Sequence, residues 1–549
     1  MKRNTLTTAV LAGLTGVAGM AGVANAVNVN PDGLGQVLLY PYYSARGGNS
    51  TLVSIVNTTE RGKAVKIRFI EALNSREVLD FNIYRSPYDV WTGAIVETEE
   101  GGGKLVTTDT TCTVPYIFGD FGGEQEFLDF EFVDIEGTDG QMADGGPTGK
   151  ERTASGYIEV IEMATMLPQP DEAPEAGDEN FGQIIPWAAK HVEGGEPRNC
   201  QLLVDAWTNF GDGDNLPWIE GNTDFGFDTE LGASGGLFGS ASIVNVERGT
   251  NFTYNATAVD GFFAVGTTEH TRPDSLLPSL ASGDVNTSFV FDNGVLETQT
   301  WDVPLFALNA TLTLDRLMNE YLTDPELNAR TEWVLTFPTK RFHTDAATQA
   351  DVTPENPIPP FTRTWHLNED DELVYACEDL SFRFWDREEA PYPTEAPTPG
   401  DRPPIVSPAP PTPVAPDPEV NLFQLCAEAN VIRFGSGDDL PEFSELLGEP
   451  LRDGSSLGYT NFDLPFADGW VNFDLTTVDP DSPIAEDTPR RTSLPSQEGD
   501  VVEGLPVIGF AVTGYSNGAL ASGVLANYGG TFTHRGSRSI IASPAPEAD

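Results

Sequence analysis

Along residues 63–73, Val65, Ile67 and Phe69 point one way and Lys66 and Arg68 the other. The run 77–84 repeats the pattern, with Leu79, Phe81 and Ile83 on the inward side. Similar runs stand at 36–44, 51–58, 90–97 and 104–114, with turn residues between them. A period of two at intervals of roughly ten residues predicts a β-sandwich over residues 27–166. Residues 155–165 are expected to close it, after an acidic, Gly-rich excursion over 119–150.

Beyond 166 the periods mix. Residues 168–180 are a Pro/Glu/Asp linker, 200–208 show helical spacing in Leu203, Ala206 and Trp207, and 211–232 form an aromatic, acidic loop. Leu308, Leu312, Leu314, Leu317, Met318 and Tyr321 recur mostly at three and four, which predicts a helix over 305–322 ended by Asp324-Pro325. Residues 331–337 read as a buried strand. The region 167–345 is therefore expected to be mixed α/β. The region 346–549 reads as β-rich, with strands near 431–434 and 469–477 and a final hairpin within 505–532. A Pro-rich loop at 390–420 interrupts it, and such a segment packs no core. The expected class is mainly β with a few helices (α+β).

The N-terminus changes the picture from fold to compartment. Lys2 and Arg3 precede an apolar stretch from about Ala9 to Val23, and Ala24-Asn25-Ala26 follows. Charge, apolar core and small-x-small site in that order make residues 1–26 a secretory signal peptide, with Val27 the first residue of the mature chain. The apolar stretch is too short and Gly-rich to span about 30 Å of hydrocarbon. No Cys near the cleavage site invites a lipid anchor, and no later run of 18 apolar residues predicts a membrane helix in the mature protein. The end of the chain, Ser543-Pro544-Ala545-Pro546-Glu547-Ala548-Asp549, is neither a hydrophobic sorting tail nor the aromatic-ended strand of an outer-membrane barrel. The expected location is the periplasm, the cell surface or the extracellular medium.

Charge narrows the partners. Against 84 Asp and Glu stand 30 Lys and Arg, a net of −54. Such a surface repels phosphate backbones and excludes nucleic acid. The aromatic content, 31 Phe, 14 Tyr and 9 Trp, is too high for a disordered chain. Four cysteines, Cys112, Cys200, Cys377 and Cys426, form no C-x-x-C and stand beside no His cluster, so zinc and thioredoxin-like chemistry fit poorly. An even count in an exported chain reads as two disulfides with three connectivities. Cys112–Cys200 and Cys377–Cys426 are the preferred pairs. Strand-like runs follow Cys377 and Cys426, and a bridge closing the Pro-rich loop between them is worth about 4 kcal/mol in the chain-entropy model.

The run 53–68, with Val56-Asn57-Thr58-Thr59 and Lys63-Ala64-Val65-Lys66-Ile67-Arg68-Phe69, is similar to the strand–turn–strand of immunoglobulin-like domains in exported bacterial proteins. Together with Thr331-Glu332-Trp333-Val334-Leu335-Thr336-Phe337-Pro338-Thr339-Lys340-Arg341, it resembles uncharacterised secreted proteins of Gram-negative bacteria, over about a third of the chain. The resemblance implies an immunoglobulin-like N-terminal sandwich and a Gram-negative source. It implies no chemistry.

Catalytic patterns are few. Gly514-Tyr515-Ser516-Asn517-Gly518 fits the G-x-S-x-G nucleophile elbow. An elbow needs an acid and a His after it, yet only His534, Glu547 and Asp549 follow. Asn517-Gly518 reads better as the type I′ turn of a hairpin. The five histidines form no metal-binding spacing. Residues 145–150 approach a phosphate-binding loop, but Asp144 replaces the first Gly and Glu151 the Ser or Thr. Calcium is the one cofactor the composition invites, at Asp212, Asp214 and Asn215 or at Asp134, Glu136 and Asp139. Neither group follows the twelve-residue loop pattern, and solvated acidic turns explain both. The expectation is an exported, non-catalytic structural or adhesive surface protein, partnered by copies of itself or by a surface polysaccharide. The alternatives are a carbohydrate binder using aromatics of 210–227, such as Trp218 and Phe225, and a hydrolase with dispersed carboxylates.

Overall fold

The computed structural model describes residues 26–133, 144–174, 183–208, 232–292, 294–346, 351–353, 356–368, 370, 372–388, 423–435, 444–448, 461–477, 501–521 and 524–541. It is mainly β, built of antiparallel sheets with short helices. Residues 1–25 of the expected signal peptide, and the Pro-rich loop expected at 390–420, lie outside those residues.

A seven-stranded sheet runs in the order Asn28–Val29, Thr257–Asp260, Val37–Ser44, Ser155–Thr165, Lys63–Glu71, Glu77–Arg85, Cys112–Val114. It faces a six-stranded sheet in the order Thr250–Asn255, Leu237–Asn245, Asn49–Asn57, Val90–Glu97, Gly103–Val106, Glu124–Glu126. Val65, Ile67, Phe69, Phe81 and Ile83 from one sheet meet Val53, Ile55, Trp91, Ile95 and Leu105 from the other in one core. Strands from 237–260, in the stretch expected to be mixed α/β, complete this sandwich. In the seven-stranded sheet Ser155–Thr165 lies between Val37–Ser44 and Lys63–Glu71.

The outward side of Lys63–Glu71 is buried as well. Lys66 donates from Nζ to the carbonyls of Arg272 and Ser275, 2.7 Å each, and pairs with Asp80 at 2.9 Å. Lys63 meets Glu162 at 2.7 Å, and Arg68 lies between Glu77 and Glu159 at 2.5 and 2.6 Å. Polar residues on a strand thus mark ion pairs beneath a covering segment rather than water. Helices Ile184–Ala189 and Cys200–Thr208 cover a neighbouring patch with Tyr84, Val114 and Met163, and the Cys112–Cys200 bridge ties them down.

The second sandwich pairs two five-stranded sheets. One is ordered Phe423–Leu425, Glu378–Trp385, Asp468–Asp474, Arg316–Leu322, Arg535–Ser537. The other is ordered Asn461–Asp463, Ala429–Gly435, Ala329–Thr336, Ile508–Ala521, Val524–Thr533. Trp333, Phe434, Phe473 and Tyr321 fill its core. The back of the second of these sheets joins the first sandwich: Val334, Val431, Phe510 and Val512 lie in the same core as Tyr42 and Phe252, and Tyr254 stacks on Phe510 at 4.4 Å.

The helix expected over 305–322 is corrected. Only Pro304–Leu312 is helical, and Arg316–Leu322 is a strand. Leu317 and Tyr321, four apart, share a face of a strand as well as of a helix, so the spacing did not discriminate. Ladders to Asp468–Asp474 and Arg535–Ser537 decide for the strand. The final hairpin forms, but its strands stay paired past Asn517-Gly518 to Ala521 and Val524. Those two residues sit where the register slips, with Gly518 at φ +69°, so they build a bulge rather than the turn.

Candidate functional site

Both expected disulfides are present, Cys112–Cys200 and Cys377–Cys426. The second sits differently from its rationale. Glu378–Trp385 pairs with Phe423–Leu425, Glu378 opposite Leu425, so the bridge clamps Cys377 to the strand before Cys426, not to the one after it. The calcium candidates Asp134, Glu136, Asp139, Asp212, Asp214 and Asn215, and Trp218 and Phe225, lie outside the described residues. Among the described residues, no group of three His, Cys, Asp or Glu is placed to hold a metal ion.

Ser516 and His534 are not brought together. Ser516 is exposed and lies opposite Asn527, seven residues before His534 on the returning strand. Seven residues of strand span roughly 23 Å. The His534 ring packs on Trp333 and donates from Nε2 to the Val334 carbonyl at 3.0 Å, and burial lowers its pKa to about 4. A serine with no base beside it is a weak nucleophile. Ser516→Ala should leave stability within about 0.5 kcal/mol of the parent, and a fluorophosphonate probe should not label the protein. Stoichiometric labelling at Ser516 that disappears in His534→Ala would reverse this assignment.

Asp144, the residue that spoils the phosphate-loop pattern, belongs to a buried ionic cluster. Arg152 bonds Glu71 at 2.9 Å and Asp144 at 2.6 Å, all three side chains without solvent exposure. Arg76 pairs with Asp345 at 2.8 Å and approaches Asp144 at 3.5 Å, and Asn74 donates to Asp144 at 3.2 Å. Burial pushes the Asp144 carboxyl up, but the hydrogen bond and charge of Arg152, with the charge of Arg76, hold it below the usual carboxylate range. Nearby, Glu428 is pushed up to about 8 by burial, against the charge of Lys340. These groups are buried. They join residues 71–76 and 144–152 of the first sandwich to 340–345 and 428 of the second.

The accessible surface of interest is the outward face of the six-stranded sheet. Burial alternates along Thr250–Asn255, Leu237–Asn245, Asn49–Asn57 and Val90–Glu97. The outward positions from 251 to 255, 238 to 244, 50 to 56 and 90 to 96 carry no charged side chain. Leu52, Phe238 and Val90 are exposed there, by 48%, 41% and 45%. Hydroxyls pair across the strands, Ser54 with Ser240 at 3.2 Å and Ser242 with Thr253 at 2.8 Å. A shallow groove of about 410 Å³ runs over Leu52, Ser54, Thr92, Ala94, Ser240 and Ser242. The sequence carried this face as an alternation of Ser, Thr, Ala and Val with large apolar residues, a pattern that also fits any solvated sheet.

No family model, curated protein or solved structure matches this chain. The two disulfides agree with a protein outside the cytoplasm. Among the described residues no helix is long and apolar enough to cross a membrane.

Proposed function

We propose that the protein is an exported, non-catalytic adhesive or structural component of the cell surface or its surroundings, which associates with copies of itself through the open six-stranded sheet. The uncharged face carries this reading. In a chain of net −54, the outward positions of four adjacent strands carry no charged side chain, and the ions beside them are Glu97 at one strand end and Asp109, which accepts from Thr92. Two such faces approach with little charge to desolvate, whereas contact elsewhere sets acid against acid. Exposed Leu52, Phe238 and Val90 supply apolar area, and their hydroxyl neighbours are already paired within the sheet.

The face outlines roughly 450 Å² from four strands about 4.8 Å apart and about seven residues long. That is small for a stable dimer and suits a weak contact repeated over a crowded surface. Salt should strengthen it by screening the net charge. Sedimentation of the mature protein is expected to show concentration-dependent association that rises from 0.05 to 0.5 M NaCl. Leu52→Glu with Ala94→Glu should weaken association at least tenfold, about 1.4 kcal/mol. A parent protein that stays monomeric at millimolar concentration, or a variant that associates equally well, overturns the reading.

A further inference from the structure

The outer face of the second sandwich has a different character. On the sheet that holds Glu378–Trp385, Asp468–Asp474, Arg316–Leu322 and Arg535–Ser537, the register aligns outward residues in rows across the strands. The first row is Trp385, Trp470 and Glu320. Its two indoles stack at 4.1 Å with 12° between their planes, and Trp470 is 36% exposed. The next row is Arg383, Asn472, Met318 and Arg535. Both arginines are exposed, and neither has an ion-pair partner among the described residues. A third row follows with Ser381, Asp474, Arg316 and Ser537, in which Arg316 pairs with Asp474 at 3.2 Å.

We propose that this strip binds an anionic polysaccharide built of uronic acid units. Two coupled features select that ligand. A stacked Trp pair held on a sheet offers a rigid apolar edge to the C–H face of a pyranose ring at little entropic cost. Successive rows are about 7 Å apart, so a ring resting against the indoles directs its carboxylate, or that of the next unit, toward Arg383. Guanidinium groups take carboxylates in two-point contact. Arg383 and Arg535 stand at the two ends of a four-strand row, about 14 Å apart, so a chain crossing the row meets both. Acids outnumber cations 84 to 30 in the chain, and two exposed arginines in one row beside an indole stack make this face the complement of an acidic polymer. Glu320 at the far end of the first row orients the chain by repelling carboxylates toward the arginine row.

The net charge of −54 opposes any polyanion at long range. Screening shortens that repulsion to about 8 Å near physiological ionic strength, while direct contacts persist. Binding should therefore pass through a maximum with salt rather than fall steadily.

The proposal shares only its non-catalytic character with the self-association reading, and its surface lies on the other sandwich. Mature protein run in native gels containing alginate, a polyuronate, is expected to be retarded, and gels containing the neutral glucan dextran should retard it at least tenfold less. Trp470→Ala, and separately Arg383→Ser with Arg535→Ser, should each reduce alginate affinity at least tenfold. Both variants should keep the parent melting temperature within a few degrees and the parent sedimentation behaviour. No retardation by alginate, equal retardation by dextran, or unchanged affinity in the well-folded arginine variant overturns the proposal. Alginate shortened during incubation would overturn the non-catalytic reading and leave the strip standing, whereas loss of self-association in Leu52→Glu would leave alginate retardation unchanged.

Discussion

Arg152→Met should destabilise the protein by about 3–5 kcal/mol, the cost of leaving buried carboxylates without their cation. Arg152 is fully buried, bridges Glu71 and Asp144, and lies 4.4 Å from the centre of the Phe132 ring. Methionine fills much of the volume but returns no charge. Glu71 keeps the backbone N–H groups of Leu73, Asn74 and Arg76, and Asp144 keeps Asn74 and the N–H of Gly146. Those bonds limit the cost without removing it. Because Arg76 and Asp345 extend the cluster across the junction of the sandwiches, the loss should appear as a lower midpoint for the transition that separates them in urea. Adding Asp144→Asn should recover part of the loss, since one stranded charge disappears, and the double-mutant cycle measures the coupling directly. A midpoint unchanged in Arg152→Met would show that the cluster contributes specificity and no stability.

The strands of the first sandwich were legible because period two with Val, Ile and Phe on one side is a strong signal, and Val65, Ile67, Phe69, Leu79, Phe81 and Ile83 are all buried. The same rule misread the opposite side. Lys66 and Arg68 look like solvent-facing residues, yet they pair with Glu77 and Asp80 on the next strand, and Glu159 and the covering carbonyls of 272 and 275 come from segments that no local pattern links to them. Leu317 and Tyr321 failed for a related reason, since a four-residue spacing satisfies both periods and only the neighbouring strands choose between them. Asn517-Gly518 marked the hairpin but not its tip, because left-handed glycines serve bulges as well as turns. The surfaces carrying the functional proposals were the least legible. Trp385 and Trp470 are 85 residues apart in sequence, and Arg383 and Arg535 further still, so their shared face exists only once strand order is known.

Stability is expected to fall as pH rises above about 6.5, and the sign follows from which groups the fold keeps neutral. His343 and His270 are buried, and burial lowers their pKa values, that of His343 to about 4. Their stabilising contribution is complete above the unfolded value of about 6.5 and is lost as pH falls toward 4. His534 acts in the same sense, with a smaller weight because its ring keeps some exposure. Carboxyls act the other way. Burial raises Glu428 to about 8, and also raises Glu131, Glu159, Glu332 and Asp80. A raised carboxyl contributes fully below its unfolded value near 4.5 and loses that contribution as pH rises through its folded value. For Glu428 the total is on the order of 4–5 kcal/mol, spread from pH 4.5 to 8 at about 1.4 kcal/mol per unit. Between 4.5 and 6.5 the histidines oppose this fall, and above 6.5 nothing among them does. Asp80 finishes its fall near 7, so the step from pH 7 to 8.5 belongs chiefly to Glu428. Melting curves at pH 6.5, 7 and 8.5 should show a steady decline. Glu428→Gln cannot ionise, so it should nearly abolish the decline from pH 7 to 8.5. An undiminished decline in that variant would mean that Glu428 is already ionised at neutral pH, held by Lys340.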